Sequence, residues 1–336
     1  MMGVSCPYPD ILIILKFLLT IFTQYSPLHK TGFIFVKLIN MRKKLYLFCF
    51  AVISLLHLAA QDLRLNIFGG MANYNGDLQS RTFSFQQARY ALGAWLSYDL
   101  NPKIMLRGGL HFANVQGADR LQKNPQNQIR NLSFATNIWE VHAGAEYHFL
   151  GMDDRVFSPY IFGAIAAFRH NPYAFDTTGN KIYLKPLSTE GQGLSTYPDR
   201  NPYSLLQFAV PFGLGVRMVL TDRIDIGAEF GYRKTFTDYM DDVSRSYVDQ
   251  NALLAERGPV AVQMAYRTPE LAGHGTDPYP VDLEKRGGSK YKDNYYFLGI
   301  TLTYHLAGGN AFNHKAKGFG GGGKRKSKMG CPTNVQ

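Results

Sequence analysis

The feature that most constrains this chain is a period-two alternation in segments joined by connections of very unequal length. In the run Ile224-Asp225-Ile226-Gly227-Ala228-Glu229-Phe230-Gly231-Tyr232-Arg233, even positions are mostly apolar or aromatic and odd positions carry Asp225, Glu229 and Arg233. Successive side chains of a strand point to opposite faces, so such a run has one apolar face and one charged face. A soluble sandwich strand turns its apolar face to a core and its charges to water. Here the segments, each of roughly ten residues, are separated by the very short connections Asn101-Pro102-Lys103, 151–156 and Thr221-Asp222-Arg223, alternating with very long ones. A transmembrane β-barrel has this pattern, with lipid outside, a polar lumen inside and all backbone groups paired within a closed sheet.

Reading for alternation predicts eight strands, at residues 63–74, 89–100, 104–116, 134–149, 159–169, 207–220, 224–234 and 295–306. Leu63, Leu65 and Ile67 point outward on the first. Tyr90, Leu92, Ala94, Leu96 and Tyr98 share a face on the second. On the third, Ile104, Leu106, Leu110 and Phe112 face lipid, with Arg107 and His111 inward. The fourth sets Trp139, Val141, Tyr147 and Phe149 against Glu140, His142, Glu146 and His148. Tyr160, Phe162, Ala164, Ala166 and Phe168 share a face of the fifth, and Phe208, Val210, Phe212, Leu214, Val216 and Met218 one of the sixth. The eighth alternates Tyr296, Leu298, Ile300, Leu302 and Tyr304 with Thr301, Thr303 and His305. The fold class is therefore all-β, a closed eight-stranded antiparallel outer-membrane barrel, with aromatic residues near strand ends as interfacial girdles.

Arg107, Glu140, Glu146, Arg217, Asp225, Glu229 and Arg233 then project into a lumen wide enough only for side chains. They are expected to neutralise one another in a filled interior rather than line a pore. With a periplasmic N-terminus, the long connections 75–88, 117–133, 170–206 and 235–294 face outward. The last far exceeds what a hairpin needs, and loops of that size are usually functional.

Residues 41–60 read as a secretory signal peptide: basic Met41-Arg42-Lys43-Lys44, an apolar stretch from Leu45 to Leu58, and Ala59-Ala60-Gln61 as the cleavage site. Residues 1–40 ahead of it read as an over-extended start, the alternative being a genuine N-terminal helix over the apolar stretch 11–22, short for a membrane span. Of three cysteines, Cys6 and Cys49 fall in this removed part. Cys331 alone would remain, so no intramolecular disulfide forms despite an oxidising compartment. Gln61 after the cut, in place of Cys, argues against lipoprotein processing. Much of the formal charge of +11 lies in this leader and in a glycine- and lysine-rich tail, 307–336, expected to be a disordered periplasmic extension. Without a basic stripe interleaved with stacking aromatics, nucleic acid is not an expected partner.

Catalytic chemistry is sparse. There is no metal-spaced His/Cys cluster, phosphate loop or nucleophile elbow, and no cofactor or small-molecule substrate is expected. His142 and His148 are the candidate bases for a Ser/His hydrolase at the barrel rim, against the ordinary role of lumenal hydrogen bonding. Asp238, Asp241 and Asp242, with Asp249 beyond, are the candidate oxygen ligands for Ca²⁺. Their spacing is not that of an EF-hand, and solvation or hydrogen bonding to nearby backbone is the plainer role.

Several strings occur in order: Arg130-Asn131-Leu132-Ser133-Phe134, Pro159-Tyr160-Ile161-Phe162-Gly163, Thr189-Glu190-Gly191-Gln192-Gly193, Pro211-Phe212-Gly213-Leu214-Gly215, the stretch from Arg233 through Asp238-Tyr239-Met240-Asp241-Asp242 to Ser244, and the stretch from Asn294 to Leu302. Together they resemble the PorG family, outer-membrane barrels of Bacteroidetes that include a component of the type IX secretion system. The resemblance covers residues 63–306 and brings no catalytic residues. It implies a barrel that anchors or organises the periplasmic ring proteins of that system, in protein secretion and gliding motility. Periplasmic docking would then fall to the short turns and to Lys324, Arg325, Lys326 and Lys328 of the tail. The alternative is a surface-binding, adhesin-like barrel acting through its long loops; a lipid-modifying enzyme is a distant third.

Overall fold

The computed structural model describes residues 63–79, 84–150 and 157–306, all within the unit Ala59–Gln336. The expected leader 1–60, the short connection 151–156 and the tail 307–336 with its four docking residues lie outside the described residues.

Eight long strands close a barrel: β1 (Leu63–Asn75), β2 (Arg89–Asn101), β3 (Ile104–Ala118), β4 (Ser133–His148), β5 (Phe157–Arg169), β8 (Leu206–Val219), β9 (Ile224–Thr235) and β10 (Asn294–His305). Each pairs antiparallel with its neighbour in sequence among these eight, and β1 pairs with β10 to close the sheet. Each expected strand is present, with ends displaced by no more than two residues. Closure follows from the environment. In hydrocarbon an unpaired strand edge has no water to satisfy it.

The exterior is apolar. Leu92, Leu110, Val141, Ile165, Phe208, Leu214 and Ile300 are all more than half exposed, on strands that belong to no other apolar core. The face of β5 that carries Tyr160, Phe162, Ala164, Ala166 and Phe168 is the buried, lumenal one, and Ile161 and Ile165 take the outside. Both faces of this strand are apolar, so its alternation of side-chain type alone left its polarity open. Tyr296 on β10 is buried, its ring 5.8 Å from that of Phe230.

Two short connections are tied by their own side chains. Asn101 Oδ1 accepts from the backbone N–H groups of Lys103 and Ile104, and Thr221 Oγ1 from those of Arg223 and Ile224. These Asx- and ST-turns return the chain within a few residues. At the opposite end the long connections are folded, not extended. They contain the hairpin β6 (Tyr173–Phe175) and β7 (Lys181–Tyr183), joined to β4 through Tyr173, and the helices α1 (Pro125–Arg130), α2 (Gln250–Arg257) and α3 (Pro259–Ala265). Asn124 caps α1 and Asp249 caps α2, accepting from Ala252 N–H at 2.8 Å.

Candidate functional site: a charged lumen under a folded cap

All seven charged residues expected in the lumen are buried there, and Arg64 and Asp99 join them. The strands carry these side chains inward because inward positions recur every second residue. Register and barrel closure decide which charges meet. Near the short-turn end, Arg64 pairs with Asp99 and lies 3.5 Å from Asp225, which also meets His305 at 2.9 Å. In the middle, Arg107 donates two hydrogen bonds to Glu229, at 2.8 and 3.2 Å, and sits 3.3 Å from Glu146. Arg217 donates to Glu146 at 3.0 Å, and Tyr160 to Glu229 at 2.8 Å. The Arg107 guanidinium is held between Trp95 and Phe162, 4.3 and 4.4 Å from the ring centroids. Paired charges flanked by aromatic rings fill the interior.

Toward the loop end, Tyr295 donates to Glu140 Oε2 at 2.6 Å and Arg233 lies 3.4 Å from the same oxygen. The other oxygen, Oε1, faces His111 Nδ1 at 3.2 Å, without the alignment of a directed hydrogen bond. His142, two residues beyond Glu140 on the same face of β4, is buried with neither ring nitrogen bonded. Among the described residues, His111, Glu140 and His142 are the side chains whose donor atoms converge as metal ligands do, all within 4.8 Å of one another. Nothing in a list of single residues marks this trio; the cross-strand pairing His111↔Glu140 creates it. His148, the other candidate base, lies against Glu146 at 3.3 Å and Ser158 at 3.2 Å, in the turn-side half of the lumen rather than at the outer rim.

The acidic loop is not a solvated one. Asp238, Asp241 and Asp242 are all buried, and each has its own protein partner. Asp238 accepts from Ser244 Oγ at 2.6 Å, Asp241 from Val243 N–H at 2.9 Å, and Asp242 from Tyr203 Oη at 2.7 Å. Their oxygens do not converge on a common centre as a Ca²⁺ site requires. They knit the cap instead. The Glu190 carboxylate accepts from Ser244 N–H, Arg245 N–H and the Arg286 guanidinium, and Arg286 also donates to Asp242 O at 2.7 Å. Arg130 on α1 donates to Asp119 at 2.7 Å and reaches the backbone carbonyl of Arg286. Burial pushes the carboxyls of Asp238 and Asp242 up to about 6.

The cap is fastened to the barrel through Tyr74 at the end of β1. Its hydroxyl lies 2.6 Å from Asp241 and 2.8 Å from Asp293. Both carboxyls are held well above the ordinary carboxylate range, first by burial. Two clefts open around this body. One, of about 840 Å³, is lined by residues that include Arg130, Tyr247, Tyr266, Tyr279 and Arg286; the other, of about 810 Å³, lies between the β3–β4 rim and the β6 hairpin.

A closed sheet with an apolar exterior and a buried charged interior inverts the polarity of a soluble barrel, and defines an outer-membrane β-barrel with lipid as its surroundings. The chain belongs to the family described as Domain of unknown function (DUF6089), which matches residues 43–255. Among curated proteins none is similar in sequence. Solved structures similar to this chain include Neisserial surface protein A, at 10% identity over 72% of this chain and 96% of that one, with a TM-score of 0.35. The attachment invasion locus protein Ail of Yersinia pestis, in complex with the heparin analogue sucrose octasulfate, is similar at 9% identity over 72% and 98%, with a TM-score of 0.33. OprG of Pseudomonas aeruginosa is similar at 10% identity over 74% and 98%, with a TM-score of 0.31. The fold assignment rests on the strand pairing itself.

Proposed function

We propose that this barrel is a surface-binding protein that presents one prefolded recognition body to the exterior. The observation that carries the reading is the cap. Its connections are held together by buried charge-assisted bonds centred on Glu190 and Arg286, and it leaves open clefts of ligand size. A surface ordered before binding avoids the entropy of ordering on contact. The three tyrosines and two arginines of the larger cleft suit a polar, ring-bearing ligand such as a surface saccharide, by stacking and hydrogen bonding. The test replaces residues 171–204 and 238–292 with short hairpin turns. The capless barrel should still show heat-modifiable migration, while whole cells carrying it lose the glycan-array binding of cells carrying the intact barrel. Equal binding by the two would sink the reading.

The order of strings that resembles the PorG family supports a second reading, anchoring of the type IX secretion ring. On the periplasmic side the described residues offer only the connections at 101–103 and 221–223, so that reading assigns docking to the tail residues Lys324, Arg325, Lys326 and Lys328. A basic tail meeting an acidic ring surface makes a contact that weakens as salt rises. Truncation after Leu306 should then abolish type IX export and ring pull-down. Normal export from the truncated and the fully deleted strain alike would remove the secretion role.

A further inference from the structure

We propose that His111, Glu140 and His142 form a lumenal binding site for a divalent transition-metal ion of the zinc type. The three come from adjacent strands. Glu140 and His142 stand two apart on one face of β4, and His111 is the register partner of Glu140 on β3. All three are buried. Two ligands bound to one tetrahedral zinc at about 2.0–2.1 Å stand about 3.3 Å apart. His111 Nδ1 and Glu140 Oε1 are separated by 3.2 Å, yet are not aligned as donor and acceptor. They are placed as two ligands of one ion would be. The His142 ring lies 4.8 Å from that of His111, and one of its nitrogens is within 4.8 Å of the other two ligand atoms.

The second observation is the condition of His142. Neither of its ring nitrogens has a hydrogen-bond partner, although the side chain is buried. An unsatisfied buried polar group is costly, and native structures keep such groups where something else satisfies them. Its ring neighbours, Trp95 at 6.2 Å and His111 at 4.8 Å between centroids, make no hydrogen bond to it. A metal would take the lone pair.

Neighbouring charges leave room for the ion. Arg233 and Tyr295 both engage Glu140 Oε2, so Oε1 is free to ligate without breaking those contacts. Among the described strand residues facing the lumen, the arginines Arg64, Arg107, Arg217 and Arg233 stand against five carboxylates: Asp99, Glu140, Glu146, Asp225 and Glu229. The carboxylates outnumber the arginines by one, a balance that favours a cation. Two imidazoles and one carboxylate favour zinc, copper or nickel over calcium or magnesium, which take oxygen ligands. The fourth position belongs to water, as in zinc sites with three protein ligands.

The test uses the full chain, folded into detergent micelles in the presence and absence of Co²⁺. Bound four-coordinate Co²⁺ shows visible d–d absorption, and Zn²⁺ should displace it. One ion per chain is expected. His142→Gln and His111→Gln should each weaken Co²⁺ binding more than about tenfold. His274→Gln, in the cap beside Asp277, should bind as the unaltered chain does. Heat-modifiable migration reports that each variant has folded. If His111→Gln fails to fold, His142→Gln carries the test, because its nitrogens bond to nothing in the metal-free barrel. No saturable binding by the unaltered chain, or equal affinity in the folded histidine variants, overturns the site.

Discussion

Arg107 shows what a single side chain does in this interior. Its two bonds to Glu229 and its place between Trp95 and Phe162 make it the centre of the lumenal network. Removing one partner of a buried pair leaves an uncompensated charge, at a cost of about 3–5 kcal/mol. Arg107→Leu should therefore destabilise the barrel by that amount in urea titrations of the detergent-folded protein. The double variant with Glu229→Leu should lose less than the two single changes together. At the cap, Asp242 makes stability depend on pH. Its carboxyl is raised from 3.8 to about 6 in the fold, mainly by burial, so the folded cap holds a proton that the unfolded chain releases. A raised carboxyl contributes stability below the unfolded value and loses it as pH rises through the folded one. Hydrogen-exchange protection of Ser244 and Arg245 should thus fall between about pH 4 and 6, by at most about tenfold per pH unit for each such group. Asp242→Asn should flatten the fall, leaving the part due to Asp238.

At the scale of strands and loops, the barrel was readable because a membrane strand repeats one rule along its whole length. Leu214 on β8 and Ile300 on β10 obey it, facing outward where a lysine would meet lipid. Leu214→Lys and Ile300→Lys should each cost about 2–4 kcal/mol in folding titrations if they lie near the bilayer midplane. Gly227 on β9 tests the other face. A Cβ there would meet Val216 O at 2.5 Å and Thr301 Oγ1 at 2.6 Å. Even Gly227→Ala should destabilise, by about 1–3 kcal/mol, from crowding against backbone that cannot move aside. The cap was far less readable. α1 spans six residues and α2 eight, too short to form without tertiary contacts, so composition alone gives little sign of them. The lumenal charges could be named from alternation, but not their partners. Arg107 and Glu229 are 122 residues apart, and only strand stagger around the closed sheet brings them together. The trio His111, Glu140 and His142 escaped a search for linear metal spacing for the same reason.

For the whole molecule, the two ends of the barrel predict opposite accessibility. With Cys331→Ser to remove the one cysteine expected in the mature chain, Leu254→Cys on α2 should react with an impermeant maleimide on intact cells, and Lys103→Cys should not. Labelling of Lys103→Cys but not of Leu254→Cys would reverse the orientation. The seam between the first and last strands bears on assembly. Its register runs from Arg64↔His305 to Asn75↔Asn294, and the Tyr74 bridge to Asp293 crosses it between residues 219 positions apart. The strand made first must therefore wait for the strand made last, and the cap brace cannot form any sooner. A chain emerging N-terminus first carries an open edge throughout its passage to the membrane. Closing the barrel and bracing the cap thus both depend on the strand synthesised last.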